Sequence, residues 1–197
     1  MNFLAHSYLS FNHPEILVGN MISDFIKGRK KFDYPIVIQK GIQLHRDIDT
    51  FTDDHPATKE AKVMLKPAVG LYSGAFIDVV YDHFLAIDTN QFADSTLYDH
   101  CINTYKILHD NNNTLPQKFQ IMLPYMASQN WLFNYQHLWG IENSFGGLVR
   151  RATYLDSSAE AFELFKSNYY QLQKCYKTFF PQVKAFAFNE LQRLLKQ

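Results

Sequence analysis

The sequence has few cysteines and no excess charge of either sign, and each shortage excludes a class of protein. Its 197 residues include two cysteines, Cys101 and Cys175, in no CxxC or Cys/His pattern. A disulfide scaffold or a structural zinc site would need more. Lysine and arginine total 19, as do aspartate and glutamate, which argues against binding nucleic acid through bulk electrostatics. We therefore expect reduced thiols in a cytoplasmic protein that does not bind nucleic acid.

The sequence also lacks a convincing membrane segment. The N-terminal stretch MNFLAHSYLSFNHPE has no basic region ahead of an apolar run, as a signal peptide would. One uncharged stretch, residues 119–141, contains Pro124 and several Asn, Gln and His residues, which make a poor membrane span. We expect no membrane association and interpret this stretch as a pair of buried helices.

Strand signals are scarce, because apolar residues recur with helical spacing almost everywhere. The spacing predicts helices at residues 2–11, 14–28, 35–53, 56–66, 70–87, 94–110, 116–127, 130–137, 142–152 and 157–195, the last interrupted near Pro181. Pro14, Pro35, Pro56 and Pro116 fall near predicted helix starts, where proline is tolerated best. With 47% hydrophobic residues, the chain can bury a full core. We expect one compact all-α domain spanning residues 1–197.

Ionisable side chains are threaded through the apolar residues of one predicted helix, GIQLHRDIDTFTDDHP. Its His45, Asp49 and Asp53 fall four apart, close to the period of the apolar residues. Residues four apart on a helix share a face. His45 and Asp49 can therefore point at one spot, and so can Asp78 and Asp82 in FIDVVYDHFL.

Two further ionisable residues have apolar neighbours: Asp24 in GNMISDF and His6 in FLAHSYL. Burying several carboxylates together is costly, because like charges repel and each group loses its hydration. A divalent cation neutralises such carboxylates, and histidine adds a neutral nitrogen ligand. Aspartate and histidine without cysteine suit Mn²⁺, Mg²⁺ or Fe²⁺ better than a structural zinc. The pattern indicates a metal site shared by several helices.

Each pair also has a purely structural interpretation. His45 and Asp49 could simply bridge each other, and Arg46 could neutralise Asp49 or Asp82. An aspartate near the end of this helix could cap the helix that follows. From spacing alone, the metal site and the structural pairs remain alternatives.

A basic cluster, Lys27, Arg29, Lys30 and Lys31 in KGRKK, ends the second predicted helix. It has two interpretations. Cations suit the C-terminal turn of a helix because they complement its dipole. Alternatively, the cluster is a docking patch for an acidic or phosphorylated partner.

Aromatic residues make up 16% of the chain and are frequent near its C-terminus. The residues concerned are Tyr169, Tyr170, Tyr176, Phe179, Phe180, Phe186 and Phe188. They suit either a core helix, which we favour, or a dimer face. The oligomeric state stays open.

Five short motifs resemble one known family in order and spacing. They are MNFLAH at the start, GN-x-x-x-DF at 19–25, GI-x-LHR-x-ID-x-x-TD at 41–53, D-x-x-x-DHFL at 78–85, and M-x-x-x-x-WL-x-x-Y at 126–135 with GI at 140–141 and Arg150–Arg151. Together they resemble the acyl carrier protein phosphodiesterase, or ACP hydrolase, family. The resemblance covers most of the chain and is weakest after about residue 155.

The resemblance implies a reaction, a cofactor and a partner. The family removes 4′-phosphopantetheine from holo-acyl carrier protein by cleaving its phosphodiester to a serine. It needs a divalent cation, preferably Mn²⁺, and its fold resembles the helical HD-type metal phosphohydrolases. The contiguous His-Asp pair of HD enzymes is absent here, since Arg46 follows His45 and Asp82 precedes His83. The alternatives are an HD-like hydrolase of a small nucleotide or other phosphate ester, and a non-catalytic helical binding protein.

Roles follow as hypotheses from this reaction. The expected metal ligands are His6, Asp24, His45, Asp49 and Asp78, with His6 also a candidate for a second ion, as is Asp82. Arg46 would hold the phosphate with its fork of donors. His83 would protonate the leaving serine oxygen as general acid or orient Asp82. The carrier is acidic, so the basic cluster would steer it to the site.

Overall fold

The chain folds into helices joined by turns in a computed structural model, which describes residues 1–93 and 96–197. The α-helices are α1 (Phe3–Tyr8), α2 (Pro14–Ile22), α3 (Ile36–Asp54), α4 (Pro56–Val69), α5 (Ser73–Ala86), α6 (Thr96–Asp110), α7 (Gln117–Ser128), α8 (Trp131–Asn134), α9 (Leu138–Val149), α10 (Ala159–Ser167) and α11 (Tyr169–Leu195). 3₁₀ turns occupy Ser23–Phe25, Gly28–Asp33, Gly70–Tyr72 and Asn112–Thr114. The described residues contain no strand, which confirms the all-α prediction. The likeness to HD enzymes and the single-domain assignment stay predictions.

The proline signals mark helix starts correctly. Pro14 and Pro56 are the first residues of α2 and α4, and Pro35 and Pro116 immediately precede α3 and α7. Proline fits there because the first turn of a helix does not use its own N–H groups. The predicted helix 94–110 matches α6 from Thr96 onward, and its first two positions lie outside the described residues.

The first two predicted helices were too long. α1 ends at Tyr8, and Phe11 and Asn12 then take φ angles of 50° and 61°, which no right-handed helix contains. α2 ends at Ile22 and passes into the 3₁₀ turn that carries Asp24. The prediction that Asp24 lies on a long second helix was therefore wrong.

The predicted interruption near Pro181 was also wrong. α11 runs through Pro181, which lies on its exposed side, so that water can reach the carbonyl left without a helical partner. The helix break falls at Asn168, between α10 and α11. There the Asn168 side-chain Nδ2 donates to the Leu164 oxygen at 2.8 Å and satisfies the end of α10.

The aromatic residues of α11 belong mainly to the core. Tyr176, Phe179 and Phe180 are at most 2% exposed, and the ring of Phe179 stacks on Tyr81 of α5 with centroids 5.0 Å apart. Tyr170 is exposed. The core interpretation of this helix therefore accounts for its largest buried rings.

A close crossing of α2 and α3 positions the candidate site. Gly19 and Gly41 lie where the two backbones meet, and a Cβ atom on either would collide with a backbone oxygen, that of Ile38 or that of Ile16. Only glycine permits this approach. The residue after Gly19, Asn20, is thereby brought against α3.

The end of α3 and the start of α4 use a cap that differs from the one expected. His55, not an aspartate, accepts a hydrogen bond at Nδ1 from the Ala57 N–H at 3.2 Å. Asp53 instead pairs with Lys62 Nζ at 2.6 Å. A basic neighbour on α4 is thus the stronger partner for this carboxylate.

The stretch Pro56–Ala86 is long and apolar enough to cross a membrane by length and composition. This is a weak indication, because buried core helices meet the same criteria. The stretch comprises α4, a 3₁₀ turn and α5, and Gly70 interrupts it with a φ of 54°. α5 is mostly buried and carries Asp78 and Asp82.

The uncharged stretch 119–141 contains three elements instead of a pair of buried helices. α7 buries Phe119 and Leu123 but exposes Ile121 and Tyr125. α8 is a single turn, and α9 begins at Leu138, earlier than the predicted start at 142. The expectation that both helices are buried was therefore only half right.

Candidate metal centre

The His45–Asp49 pair on α3 is the nucleus of the site. α3 turns Ile42 and Ile48 into the core, and His45 follows this buried face with 5% of its surface exposed. The His45 Nε2 atom lies 3.0 Å from Asp49 Oδ2. The four-residue spacing therefore brings these two side chains together.

His6 reaches the same carboxylate from α1. Its Nε2 atom lies 3.2 Å from Asp49 Oδ1. Its ring stacks on that of His45, with 3.8 Å between centroids and 16° between planes. Two stacked, buried imidazoles cannot both be imidazolium cations without strong repulsion. At least one of the two rings is therefore neutral and can bind a cation.

Asn20 of α2 orients both imidazoles. Its Oδ1 atom lies 2.8 Å from His6 Nδ1, and its backbone oxygen lies 2.8 Å from His45 Nδ1. Since both partners are oxygen acceptors, each Nδ1 carries a hydrogen, and each Nε2 of the neutral ring keeps a lone pair for a ligand. Sequence reasoning missed this role, although an asparagine within the apolar run ILVGNMI was a signal.

The donor set fits a divalent cation. Among the described residues, the buried atoms His6 Nε2 and Asp49 Oδ1 form no hydrogen bond, although they lie 3.2 Å from each other. A buried lone pair facing a buried carboxylate oxygen is costly unless a cation binds both. Ligand atoms of His6, His45 and Asp49 all lie within 4.8 Å of one another. Two imidazole nitrogens and a carboxylate suit a hard or borderline metal such as Mn²⁺ or Fe²⁺.

Asp24 adds a second carboxylate at the solvent side. Its Oδ1 atom lies 3.1 Å from His45 Nε2, and its side chain is 71% exposed. The 3₁₀ turn after α2, not the helix itself, brings it there. Asp24 therefore borders the cluster without being enclosed by it.

The pKa values show how the cluster shares charge. Burial, together with the charge of His45, lowers the pKa of His6 to about 4. Burial also opposes protonation of His45, but hydrogen bonds to Asp24 and Asp49 outweigh it and raise the pKa to about 9. Although burial opposes ionisation of Asp49, the neighbouring histidines hold its pKa well below the usual range. The ionised carboxylate of Asp49 therefore contacts one imidazole that resists protonation, His6, and one that favours it, His45.

Asp78 lies beside the cluster, but its carboxylate pairs with the N-terminal ammonium group. The Met1 ammonium donates to Asp78 Oδ1 at 2.8 Å and lies 3.6 Å from Asp49 Oδ1. Burial raises the pKa of Asp78, against the effect of the ammonium. Asp78 is thus linked to Asp49 through a shared positive charge and not through direct contact.

Asp82 is fully buried and caps the start of α1. It accepts hydrogen bonds from the backbone N–H groups of Asn2, Leu4 and Ala5 at 3.2, 2.7 and 3.3 Å. Burial raises the pKa of Asp82 to about 7, although these N–H groups favour the ionised form. The carboxylate therefore satisfies free donors at a helix N-terminus and fixes the helix that carries His6.

The structure does not bring Arg46 or His83 to the cluster. Arg46 Nη2 donates to the Ile26 oxygen at 3.1 Å, and within the described residues it has no carboxylate within 4 Å. His83 lies 2.7 Å from the Tyr135 oxygen through Nδ1 and 2.8 Å from the Tyr169 hydroxyl through Nε2. Each residue adjoins a site residue in sequence, but helix geometry turns it to another face.

The basic cluster lies in the 3₁₀ segment Gly28–Asp33 and the residue before it, not in the last turn of α2. Lys27, Arg29 and Lys30 are exposed. Lys31 is partly buried, and its Nζ donates to Gln43 Oε1 at 3.3 Å. The helix-dipole interpretation therefore does not apply, and in the described part of the chain none of the four cations has a carboxylate partner within 4 Å.

Comparison of the sequence with known proteins places the chain in a family. The family model described as acyl carrier protein phosphodiesterase matches residues 1–183. A protein named acyl carrier protein phosphodiesterase from Klebsiella pneumoniae (strain 342) is 31% identical over 195 residues, which cover 96% of this chain and 99% of the relative. One of the same name from Yersinia pestis is 32% identical over 182 residues, covering 92% and 94%. No solved structure matches the chain.

The family match includes every residue of the histidine and aspartate cluster, since all of them lie within residues 1–183. It also agrees with the five motifs that the sequence presents in order. By the match over most of its length, this chain belongs to the acyl carrier protein phosphodiesterase family.

Proposed function

We propose that this protein is a metal-dependent phosphodiesterase that hydrolyses the link between 4′-phosphopantetheine and the serine of holo-acyl carrier protein. The products are apo-carrier and 4′-phosphopantetheine. The relatives' name supports the substrate. The observation that carries the proposal is the convergence of His6, His45 and Asp49, whose ligand atoms lie within 4.8 Å of one another. Two buried atoms of this group, His6 Nε2 and Asp49 Oδ1, have no hydrogen-bond partner in the part of the chain that the structure describes.

His6, His45 and Asp49 would hold the cation, with Asp24 as a fourth candidate ligand. A divalent cation bound there would supply Lewis acidity toward the phosphate and make hydroxide available near neutral pH. We propose Mn²⁺, with Mg²⁺ or Fe²⁺ as alternatives, because the donors are nitrogen and oxygen without sulfur. Asn20 keeps both imidazoles in the tautomer whose Nε2 can bind a metal.

The neighbouring acids have supporting roles in this proposal. Asp82 fixes the start of α1 and hence the position of His6, so it is a positioning residue. Asp78 and the Met1 ammonium balance the charge of Asp49 from the other side. We assign Arg46 and His83 no role at the phosphate, because Arg46 Nη2 donates to the Ile26 oxygen and both ring nitrogens of His83 have partners.

The partner and its location follow from the same proposal. The exposed cations of Lys27, Arg29 and Lys30 would attract an acidic carrier toward Asp24, which precedes Lys27 by three residues. Cys101 and Cys175 are buried and free, which suits a reducing compartment. We therefore propose a cytoplasmic location.

The test is the divalent-dependent release of 4′-phosphopantetheine from purified holo-carrier, followed by mass spectrometry. We expect the carrier to lose the mass of the prosthetic group with Mn²⁺ and to keep it with a chelator. The His45→Ala variant should be inactive, whereas Asp53→Asn, one turn further along α3 and paired with Lys62, should retain activity.

An intact holo-carrier after long incubation with the Mn²⁺-loaded protein would contradict the proposal. Hydrolysis of a small nucleotide ester under those conditions would then identify a hydrolase with another substrate. Failure to bind any divalent cation would instead leave a non-catalytic binding protein.

A further inference from the structure

A cavity of about 780 Å³ opens between the start of α1, α5 and the α7–α9 region. We call it the arginine pocket, because Arg150 and Arg151 lie on its wall. Its size falls within the range of small-molecule sites. Arg150–Arg151 belonged to the sequence motifs, but neither residue has a role in the chemistry described so far.

The arginine pocket is connected to Asp82 through Asn2, although no candidate metal ligand lines it. Asn2 lines the pocket, and its backbone N–H donates to Asp82 Oδ1 at 3.2 Å. Its side-chain Nδ2 donates to the Tyr135 hydroxyl at 2.9 Å, and Tyr135 also lines the pocket. Asp82 and Arg151 both lie near enough to Tyr135 for their charges to act on its pKa, which burial raises well above the usual range. One wall of the pocket therefore contacts Asp82, the residue that fixes the start of α1 and hence the position of His6.

The two arginines are arranged for an external anion. Both are exposed, and within the described residues neither has a carboxylate within 4 Å. The Arg150 guanidinium lies over Gly146 and Gly147, where added Cβ atoms would be 3.6 Å from Nη1 and 3.5 Å from Nη2. The two glycines leave room for this guanidinium beside α9. Guanidinium groups bind phosphate oxygens in a bidentate manner.

The rest of the wall suits an extended chain that contains amides. Trp131, Trp139 and Met122 offer apolar surface, and Trp139 is 52% exposed although it is a large aromatic residue. Asn143 faces the pocket, and within the described residues its side-chain amide has no hydrogen-bond partner. Apolar walls with a few polar groups are typical of ligand sites.

A second cavity, of about 910 Å³, provides a contrast. It lies between α3, α4 and α11 and is lined by Asp47, Asp54, Glu60 and Glu190, with Lys174 as the one lysine or arginine among its described lining residues. Its acidic rim would repel a phosphate. Charge therefore distinguishes the two cavities and favours the arginine pocket for an anionic ligand.

We propose that the arginine pocket binds the phosphorylated, amide-bearing arm of the substrate, with Arg150 and Arg151 on the phosphate and Trp139 and Asn143 on the arm. This inference rests on the proposed function, because it assigns a place to the prosthetic group. It assigns the phosphate-holding role to Arg150 and Arg151, which have no carboxylate partner within the described residues, instead of to Arg46.

The two tryptophans provide a local readout. The chain contains two, Trp131 and Trp139, and both line the arginine pocket. Titration of the full chain with pantetheine 4′-phosphate in EDTA should therefore change its tryptophan fluorescence without any contribution from a metal. Unphosphorylated pantetheine should bind more weakly, since it lacks the anion.

Substitutions in the pocket test binding of the phosphate and binding of the amide-bearing arm separately. Arg150→Gln and Arg151→Gln should each weaken binding of pantetheine 4′-phosphate by about tenfold, the value expected for one lost charge-assisted hydrogen bond. Trp139→Ala should weaken binding of that ligand but not of inorganic phosphate, measured by calorimetry. Arg193→Gln is the matched control, because Arg193 pairs with Glu190 on α11 and does not line the pocket.

Binding of the arm and failure of the proposed function are distinguishable. If the arginine variants bind pantetheine 4′-phosphate as tightly as the unmodified protein, the pocket assignment is overturned, whether or not holo-carrier is hydrolysed. If binding is lost as expected but holo-carrier is never cleaved, the pocket stands and the hydrolase proposal fails. With active protein, Arg151→Gln should also raise KM for holo-carrier.

Discussion

Two pairs of residues spaced by four, His45–Asp49 on α3 and Asp78–Asp82 on α5, have the same sequence signal and opposite outcomes. The first pair meets, with 3.0 Å between its atoms. In the second pair, Asp78 pairs with the Met1 ammonium and Asp82 accepts three backbone N–H groups of the α1 region. Spacing places two side chains on one face, but partners from other elements decide whether they act together.

The difference is one of charge balance. His45 and Asp49 have opposite charge tendencies and attract each other, and His6 and Asn20 complete their surroundings. Two aspartates repel, so each acquires a separate donor when buried. The α3 pair is therefore suited to hold a cation, and the α5 pair is suited to hold the N-terminal segment that delivers His6.

The largest expected effect comes from Asp82→Ala. It leaves buried N–H groups at the start of α1 without an acceptor, and we expect a loss of about 3 kcal/mol in the free energy of unfolding. Urea denaturation measures it, with Asp156→Ala, at an exposed position between α9 and α10, as the control. A loss equal to that of the control would mean that the Asp82 contacts contribute nothing to stability.

Asp49→Asn breaks the α3 pair with little effect on folding. It removes a ligand, so we expect the affinity for Mn²⁺ to fall by about a hundredfold, the upper range seen for supporting residues. Isothermal titration calorimetry measures this affinity. Asp53→Asn, one turn along the same helix, should bind Mn²⁺ like the unmodified protein, and an equal loss in both variants would contradict the specific role of Asp49.

Asp78→Asn sharpens the comparison, because Asp78 was predicted to be a ligand and lies on the Met1 ammonium instead. Without Asp78, the ammonium would pair with Asp49, 3.6 Å away, and compete with the metal. We expect a loss of about tenfold or less in Mn²⁺ affinity. A loss as large as that of Asp49→Asn would identify Asp78 as a direct ligand.

The smallest effect concerns the basic cluster, outside both pairs. Lys30→Gln with Lys31→Gln should raise KM for holo-carrier about threefold at low salt, through weaker attraction of an acidic partner. Turnover of a small phosphodiester should not change. Equal loss on both substrates, or no dependence on salt, would count against docking at this surface.

Much of the fold could be predicted from local signals. Prolines marked four helix starts because their effect on the backbone is local, and helical spacing recovered the all-α class. The errors arose where tertiary contacts overrode spacing. α11 passes through Pro181 because that residue faces solvent, and Asp24 left its helix for a 3₁₀ turn.

The candidate site could be predicted in part, for a similar reason. Spacing within α3 was sufficient to predict that His45 and Asp49 point at one spot, since both lie on one helix. The approach of His6 depends on the contacts of Asp82 with the start of α1, and the orienting role of Asn20 depends on the glycine crossing of α2 and α3. No single segment encodes either of them. Arg46 and His83 were assigned by adjacency in sequence, but neighbours on a helix point about 100° apart.

The most direct test of the central claim is a crystal structure of the full chain grown with Mn²⁺, with the ion located by its anomalous scattering. We expect an anomalous peak within bonding distance of His6 Nε2, His45 Nε2 and a carboxylate oxygen of Asp49. A fully loaded protein whose manganese lies elsewhere, with these three side chains still bonded only to one another, would contradict it.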